Sequence, residues 1–128
     1  MSLKKIHTTE APEAIGPYSQ AITGNGMVFC SGQLGLNPQS GEMVGETAAS
    51  QAKQALENLR AVLAEAGSGM QQVLKTTIYL VNMEDFAAVN EVYAHFFGDW
   101  KPARVTVAVK ELPKKAKIEI AAIALTKS

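Results

Sequence analysis

Two charged residues inside predicted strands give the clearest indication of chemistry in this chain. Arg104 follows a Pro-Ala pair at the start of a strand in which valines alternate with other residues, and Glu119 lies between two isoleucines in the last apolar strand. A guanidinium binds a carboxylate through two parallel hydrogen bonds, which a lysine cannot do. A nearby carboxylate can polarise a water molecule. Two interpretations are open: a site that binds a carboxylate substrate and directs water, or an ion pair between neighbouring strands.

The other reactive side chains give weaker indications. His7 lies near the amino terminus and His95 on the solvated face of a predicted helix, so we expect neither to be catalytic. Cys30 is the only cysteine and lies in an apolar strand, where burial keeps a thiol inert. No cluster has metal-ligand spacing, and no glycine motif for a dinucleotide is present. Tyr18 follows a stiff Gly-Pro pair, and its hydroxyl fits either a cleft or the core.

The composition narrows the class of protein. The 128 residues are close to the usual size of one domain, so we expect a single domain over 1–128. With 12 basic and 12 acidic residues, the formal net charge is zero and indicates neither a nucleic-acid nor a membrane partner. Four lysines around one turn have no aromatic residues among them to stack on bases, so we interpret the turn as a solvated hairpin tip. They are Lys110, Lys114, Lys115 and Lys117.

The chain has no apolar run long enough to span a membrane, and its first residues lack the apolar core of a secretory signal. The single cysteine has no disulfide partner within the chain. We therefore expect a reduced, cytoplasmic protein without a membrane segment.

Periodicity and turn residues predict elements in the order β-β-β-α-β-α-β-β. Thr47 is a suitable N-cap for the first helix and Gly67 a suitable residue just past its end. Asn82 is suited to cap the second helix, which is expected to stop at Gly98. The sequence Gly24-Asn25-Gly26 predicts a hairpin. The predicted strands are 4–7, 19–23, 27–31, 73–80, 103–109 and 117–125, and the first helix is 47–66.

This order predicts an α+β fold in which two helices cover one face of a mixed sheet. Side chains alternate between the two faces of a strand. We expect the valines of 103–109, including Val105, to face the helices. Arg104 and Thr106 would then share the opposite face with Glu119.

That opposite face is semi-apolar, so we expect other protein surface to shield it from solvent. Besides Ala108, it contains Ala121, Ile123 and Leu125, and two helices cannot cover both faces of the sheet. Partner subunits are the expected cover. We therefore predict a homo-oligomer with Arg104 and Glu119 near a cleft between subunits.

Around these residues the sequence resembles the RidA/YjgF family of small enamine/imine deaminases. The family pattern is Pro-Ala-Arg, alternating apolar residues, Leu-Pro and Ile-Glu-Ile, found here at 102–104, 105–109, 112–113 and 118–120. Three further segments agree with the family, at 14–20, 31–33 and 85–90. The resemblance covers nearly the whole chain.

The resemblance implies a chorismate-mutase-like α+β fold with a six-stranded mixed sheet and two helices on one face. It also implies a trimer around a central barrel, with active sites between subunits. The implied reaction is hydrolysis of 2-imino acids, such as 2-iminobutanoate and 2-iminopropanoate, to 2-keto acids and ammonia without a cofactor. Pyridoxal-phosphate-dependent dehydratases release such imines and are the implied functional partners.

The resemblance also implies roles for particular residues. Arg104 would bind the substrate carboxylate, and Glu119 would orient or activate the attacking water. Tyr18 would hydrogen-bond to substrate or water. The backbone of Gly32 would line the pocket, and Asn90 would support it from the second helix.

Two positions depart from the well-known deaminases of the family. Val105 stands where serine is usual, and its expected place facing the helices makes the change one of packing. Thr106 stands where cysteine is usual, and its backbone is implied to line the pocket. The threonine changes the shape and polarity of the pocket, so the resemblance leaves the substrate range open.

Two other functions are compatible with the resemblance. One is a ligand-binding or regulatory module that keeps the pocket without turnover. The other is action on RNA, since relatives have been described as translation inhibitors or ribonucleases. The zero net charge and the lack of an aromatic platform argue against RNA.

Overall fold

Six strands and two helices follow one another in the predicted order. The computed structural model describes residues 2–127 and contains three short 3₁₀ turns in addition, at Met70–Gln72, Met83–Asp85 and Pro113–Lys115. The strands are β1 (Lys4–Ile6), β2 (Ala21–Gly24), β3 (Met27–Gln33), β4 (Val73–Leu80), β5 (Ala103–Ala108) and β6 (Ile118–Leu125). The helices are α1 (Ala48–Glu65) and α2 (Phe86–Phe97).

The hairpin turn and the cap of α1 form as the sequence predicts, but the predicted cap of α2 does not. Asn25 and Gly26 have φ of 52° and 76°, the left-handed conformations that a two-residue hairpin needs. The Thr47 side chain caps α1 by accepting a hydrogen bond from the Ser50 backbone N–H at 3.1 Å. The side chain of Asn82 instead caps the 3₁₀ turn that precedes α2. The second helix therefore begins later than a cap at that residue predicts.

The strands form one mixed sheet in the order β1-β2-β3-β6-β4-β5. All neighbours are antiparallel except β4 and β5, which are parallel. A parallel pair needs a crossover connection, and α2 supplies it. The predicted six-stranded mixed sheet with two helices on one face is confirmed. Because β4 lies between β5 and β6, Arg104 and Glu119 are not on neighbouring strands, and of the two open interpretations the ion pair between neighbouring strands is excluded.

The core lies between the sheet and the two helices. From α1 it receives a leucine-rich face, and from α2 the side chains of Val89, Tyr93 and Phe97. The largest apolar side chains buried there are Phe97, Leu56, Leu59, Leu63, Ile78, Leu80, Ile118 and Ile120. In the described part of the chain, neither helix is long and apolar enough to cross a membrane.

The two faces of β5 are the reverse of the prediction. Arg104 pairs with Thr76 and Thr106 with Ile78, two β4 residues that are fully buried beneath the helices. Arg104 and Thr106 therefore lie on the helix side of the sheet, and Val105 on the open side. Alternation correctly separates the two faces, but the edge strand turns its valines away from the core.

The open face of the sheet is largely apolar. Phe29, Val105 and Leu125 are 48%, 42% and 42% exposed there, and the half-buried Ala121 and Ile123 lie between them. The prediction that β6 turns Ala121, Ile123 and Leu125 to this face is confirmed. No helix within residues 2–127 covers them.

The turn after Pro113 provides a test of backbone strain. Lys114 and Lys115 both have φ of 57°, which disfavours any residue with a Cβ atom. We predict that Lys115→Gly raises the free energy of unfolding by about 1 kcal/mol. Urea unfolding followed by circular dichroism measures the change. Lys117→Gly is the control, since Lys117 lacks a positive φ; an equal gain in both variants would contradict the explanation.

Candidate functional site

Three predicted site residues line one cavity. Tyr18, Gly32 and Glu119 surround a space of about 500 Å³ between the loop that precedes β2 and the adjoining ends of β3 and β6. Ile15 and Lys114 lie in its wall as well. We call this space the Glu119 cavity.

Glu119 is a half-buried carboxylate beside a glycine. Its side chain lies across Gly32 so closely that a Cβ atom at position 32 would overlap the carboxylate. Among residues 2–127, no hydrogen bond or ion pair to this carboxylate is found. Burial raises the pKa of Glu119 above its ordinary value, because desolvation disfavours the charged form. A carboxylate with a raised pKa is a stronger base and accepts a proton more readily than an exposed one.

Tyr18 forms part of the rim of the same cavity. It is 52% exposed, and its hydroxyl oxygen accepts a hydrogen bond from the Ile15 backbone N–H at 3.3 Å. The hydroxyl hydrogen remains available to donate. Of the two positions that the sequence left open for Tyr18, a cleft or the core, the structure shows the cleft.

Lys114, which the sequence predicted only as part of a solvated turn, also lies in the wall of the Glu119 cavity. Its ammonium donates to the Gly41 carbonyl at 3.5 Å, and its side chain is exposed. A contact between two loops thus places the positive charge of Lys114 in the wall of the cavity that contains Glu119. The one sign of this position in the sequence was that Lys114 lies only five residues before Glu119.

Arg104 lines a second cavity, of about 480 Å³, between β5 and α2. Its Nη1 donates to Asn90 Oδ1 at 2.8 Å. The guanidinium also lies 4.9 Å from the ring centre of Tyr93 and 5.3 Å from that of Phe86, within the range of cation–π attraction. Phe86, Asn90 and Tyr93 are spaced i, i+4 and i+7 on α2, so they form one stripe under the guanidinium.

Tyr93 is itself fixed by a hydrogen bond to the sheet. Its hydroxyl and that of Thr76 on β4 are 2.7 Å apart and buried. Asn90 was expected from the family resemblance, whereas Phe86 and Tyr93 were not predicted as supports of Arg104. The helical spacing of two aromatic residues around an asparagine was the available indication. We call Arg104, Asn90 and these aromatic supports the arginine half-site.

Thr106 lies two residues beyond Arg104 on the same face of β5. Its Oγ1 is the one buried side-chain polar atom in residues 2–127 without a hydrogen-bond partner. Buried hydroxyls normally have partners, so this one has hydrogen-bonding capacity left over beside the arginine half-site. The prediction that Thr106 and Arg104 share a face is confirmed, but the expected side of the sheet is wrong.

The six predicted site residues thus fall into two groups within one chain. Arg104, Asn90 and Thr106 lie on the helix side of β5, whereas Tyr18 and Gly32 lie with Glu119 at the Glu119 cavity. Strands β5 and β6 are two strand spacings, or about 10 Å, apart, and Arg104 and Glu119 point to opposite faces. The prediction that these two residues share a face is wrong. Within one chain, therefore, the two residues do not belong to one site.

The histidines and the cysteine lie outside both cavities. His7 is exposed and its Nε2 lies 2.7 Å from Glu13 Oε1, and His95 is exposed on α2. Cys30 is buried, which raises the pKa of its thiol to about 12, so the predicted buried thiol is confirmed. In residues 2–127, no group of three or more His, Cys, Asp and Glu side chains is placed to hold a metal ion.

Comparison with known families gives a match to almost the whole chain. The family described as Endoribonuclease L-PSP matches residues 8–126. The chain belongs to this family. Its resemblance to the RidA/YjgF proteins is also confirmed, because a conserved Rid-family protein of unknown function from Yersinia pestis has the same fold. That structure superposes with a TM-score of 0.95 at 44% identity, covering 98% of this chain and 100% of its own.

Two relatives of known name show what the family contains. A RutC family protein of Pyrococcus horikoshii is 50% identical over 119 residues, covering 93% of this chain and 94% of its own. A mouse protein named 2-iminobutanoate/2-iminopropanoate deaminase is 47% identical over 122 residues, covering 95% of this chain and 90% of its own. The family therefore includes proteins named as enzymes that act on imines.

The contact between Gly32 and Glu119 can be tested by paired substitutions. Gly32→Ala should lower the free energy of unfolding by about 1–3 kcal/mol, because the new methyl group overlaps the carboxylate. In a Glu119→Ala background most of this loss should disappear. Denaturant unfolding of the four proteins gives the coupling. Equal losses in both backgrounds would show that backbone conformation, and not space for Glu119, requires the glycine.

Proposed function

We propose that this protein hydrolyses reactive enamine and imine intermediates, 2-imino acids such as 2-iminobutanoate and 2-iminopropanoate, to 2-keto acids and ammonia. The observation that carries the proposal is the pair of half-sites. One contains a guanidinium held by three side chains, and those of its N–H groups that have no partner within residues 2–127 can bind a carboxylate. The other contains a half-buried carboxylate with a raised pKa beside a tyrosine hydroxyl. The name of the mouse relative supports the same reaction.

The active assembly in this proposal is a homotrimer around a central barrel. The arginine half-site of one subunit faces the Glu119 cavity of the next. Two features support it: β5 is an edge strand, and the open face of the sheet is apolar, with Phe29 and Leu125 exposed. Covering that face with neighbouring sheets buries the exposed side chains, and burial of apolar surface favours association.

Arg104 binds and orients the substrate in this mechanism. The free N–H groups of its guanidinium form charge-assisted hydrogen bonds with the substrate carboxylate. Asn90 and the two aromatic rings hold the guanidinium in place, and the backbones of Thr106 and Gly32 line the pocket. The imine carbon is thereby placed near the Glu119 cavity of the neighbouring subunit. Holding the reactants in a fixed geometry lowers the barrier without covalent catalysis.

Glu119 acts as the general base that activates the attacking water. Its carboxylate accepts a proton from the attacking water as the water oxygen bonds to the imine carbon, and the resulting carboxyl group gives this proton to the imine nitrogen. The carboxylate then transfers the hydroxyl proton of the carbinolamine to the amine nitrogen, so that the C–N bond breaks, ammonia leaves and the 2-keto acid remains. Tyr18 donates a hydrogen bond to the water or the substrate. No step of this sequence needs a cofactor.

The substrates must come from enzymes that release unstable imines. Pyridoxal-phosphate-dependent dehydratases acting on threonine or serine are the proposed suppliers, and the cytoplasm is the proposed compartment. A ligand-binding or regulatory module with the same pocket is the alternative, and it differs from the enzyme by binding carboxylates without turnover.

Substitution of the two charged residues tests the enzyme directly. With 2-iminobutanoate generated by a threonine dehydratase, Arg104→Ala should lower kcat/KM by roughly 100-fold, because about 3 kcal/mol of charged hydrogen bonds is lost. Glu119→Gln should retain binding of the keto-acid product but lower kcat by roughly 100-fold or more. Keto-acid release above the uncatalysed rate is measured.

Arg60→Ala is the matched control for the arginine substitution. The Arg60 guanidinium also stacks on a helix aromatic ring, 5.2 Å from the centre of Phe96, but lines neither cavity of the proposed site. It should retain full activity. Product binding by the native protein without any acceleration would favour the regulatory module instead.

Mixed trimers test whether the two half-sites come from different subunits. Arg104→Ala and Glu119→Ala chains, each inactive alone, are unfolded together and refolded at equal ratio. About one quarter of the sites should then contain both native residues and regain activity. The double variant Arg104→Ala/Glu119→Ala is refolded with native protein in the same way as a control. The activity of that mixture shows whether the chains combine at random. No recovery in the mixture of single variants would place both residues in one chain's site.

A further inference from the structure

Gln20 is a fully buried amide that joins two distant parts of the amino-terminal segment. Its side chain is 1% exposed. Its Oε1 accepts from the Thr8 backbone N–H at 2.7 Å, and its Nε2 donates to the Thr8 and Pro12 carbonyls at 3.1 and 2.8 Å. A longer contact reaches the Ala11 carbonyl at 3.4 Å. Both ends of the amide are thus satisfied, which fixes the side chain and the loop around it.

A second anchor holds the other end of the same loop. The Ser31 hydroxyl donates to the Ser19 carbonyl at 2.6 Å, and the Ser31 backbone N–H donates to the Gln20 carbonyl at 2.9 Å. Residues 13–18 therefore project between an anchor at Pro12 and an anchor at Ser19. We call this segment the Tyr18 loop, because it carries Tyr18 to the rim of the Glu119 cavity.

The Tyr18 side chain depends on these anchors for its position. It is half exposed, and the one hydrogen bond of its hydroxyl within residues 2–127 is to Ile15, in the same loop. Gly16, with φ of 125°, and Pro17 make the loop a stiff bend. A stiff loop held at both ends moves as a unit, so a change at either anchor shifts Tyr18 relative to Glu119.

We propose that Gln20 is a positioning residue that sets the distance between the Tyr18 hydroxyl and the Glu119 carboxylate. This role rests on the proposed hydrolysis, in which both groups act on the water. Glutamine suits the role because its amide both accepts from Thr8 and donates to Pro12. A carboxylate could not donate to those carbonyls, and an apolar side chain could do neither.

Gln20→Met tests the proposal because it keeps the length of the side chain and removes the hydrogen bonds. We expect kcat for 2-iminobutanoate to fall by about tenfold or more, since small displacements of a catalytic group have large effects. KM should change by less than about threefold, because Arg104 still binds the carboxylate. Ser68→Ala is the control. Ser68 is also a buried hydroxyl anchor, donating to the Leu125 carbonyl at 2.6 Å, but lies outside the Glu119 cavity.

A double-mutant cycle separates positioning from general loss of structure. If Gln20 acts through Tyr18, then Gln20→Met should have little further effect on kcat in a Tyr18→Phe background. Equal reductions in both backgrounds, or equal reductions by Gln20→Met and Ser68→Ala, would overturn the proposal. Ser31→Ala removes the opposite anchor and should reduce kcat in the same direction. It provides the test if Gln20→Met fails to fold.

Hydrogen exchange keeps the test independent of the proposed reaction. The amides of Ile15 and Tyr18, which both donate hydrogen bonds within the loop, should lose protection in Gln20→Met but not in Ser68→Ala. If native protein shows no deaminase activity, the proposed function fails, and exchange still decides whether Gln20 holds the Tyr18 loop. Unchanged exchange in that loop would overturn the positioning role whatever the activity.

Discussion

The parallel pairing of β4 with β5 determines where the functional side chains lie. A parallel pair forces the chain to cross the sheet through α2, and this crossover brings Phe86, Asn90 and Tyr93 over the edge strand. Arg104 contacts them because its register partner, Thr76, faces the helices. The same pairing inserts β4 between Arg104 and Glu119. One pairing therefore builds the arginine half-site and separates it from the Glu119 cavity.

Local patterns were enough to predict most of the elements. The leucines of α1 recur with the helical period, and the Gly24-Asn25-Gly26 turn specifies its own conformation. Apolar alternation also predicted that β6 turns Ala121, Ile123 and Leu125 to the open face of the sheet. These features depend on neighbours in sequence, so the sequence states them directly. The order of strands in the sheet does not have this property, since it is decided by contacts between distant segments.

The error at β5 shows where local patterns stop. Its valines alternate with Arg104 and Thr106, and such a pattern distinguishes two faces without saying which one the helices cover. Valine is the usual core residue, yet here Val105 faces outward on an edge strand. The contact between Gly32 and the Glu119 side chain could not be predicted for a related reason. A glycine in a strand suggests a bulge or close approach, but the residue that approaches is Glu119, 87 positions later in the chain.

The support beneath Arg104 has an entropic consequence. An exposed arginine has many rotamers, and ordering such a side chain on binding costs about 0.5–1.5 kcal/mol. Here the hydrogen bond to Asn90 and the two rings already restrict the guanidinium, and the Thr76 hydroxyl in turn restricts Tyr93. The folding of the core has therefore already met part of the ordering cost. A small anion can bind to this arginine with less loss of freedom than to one on an open surface.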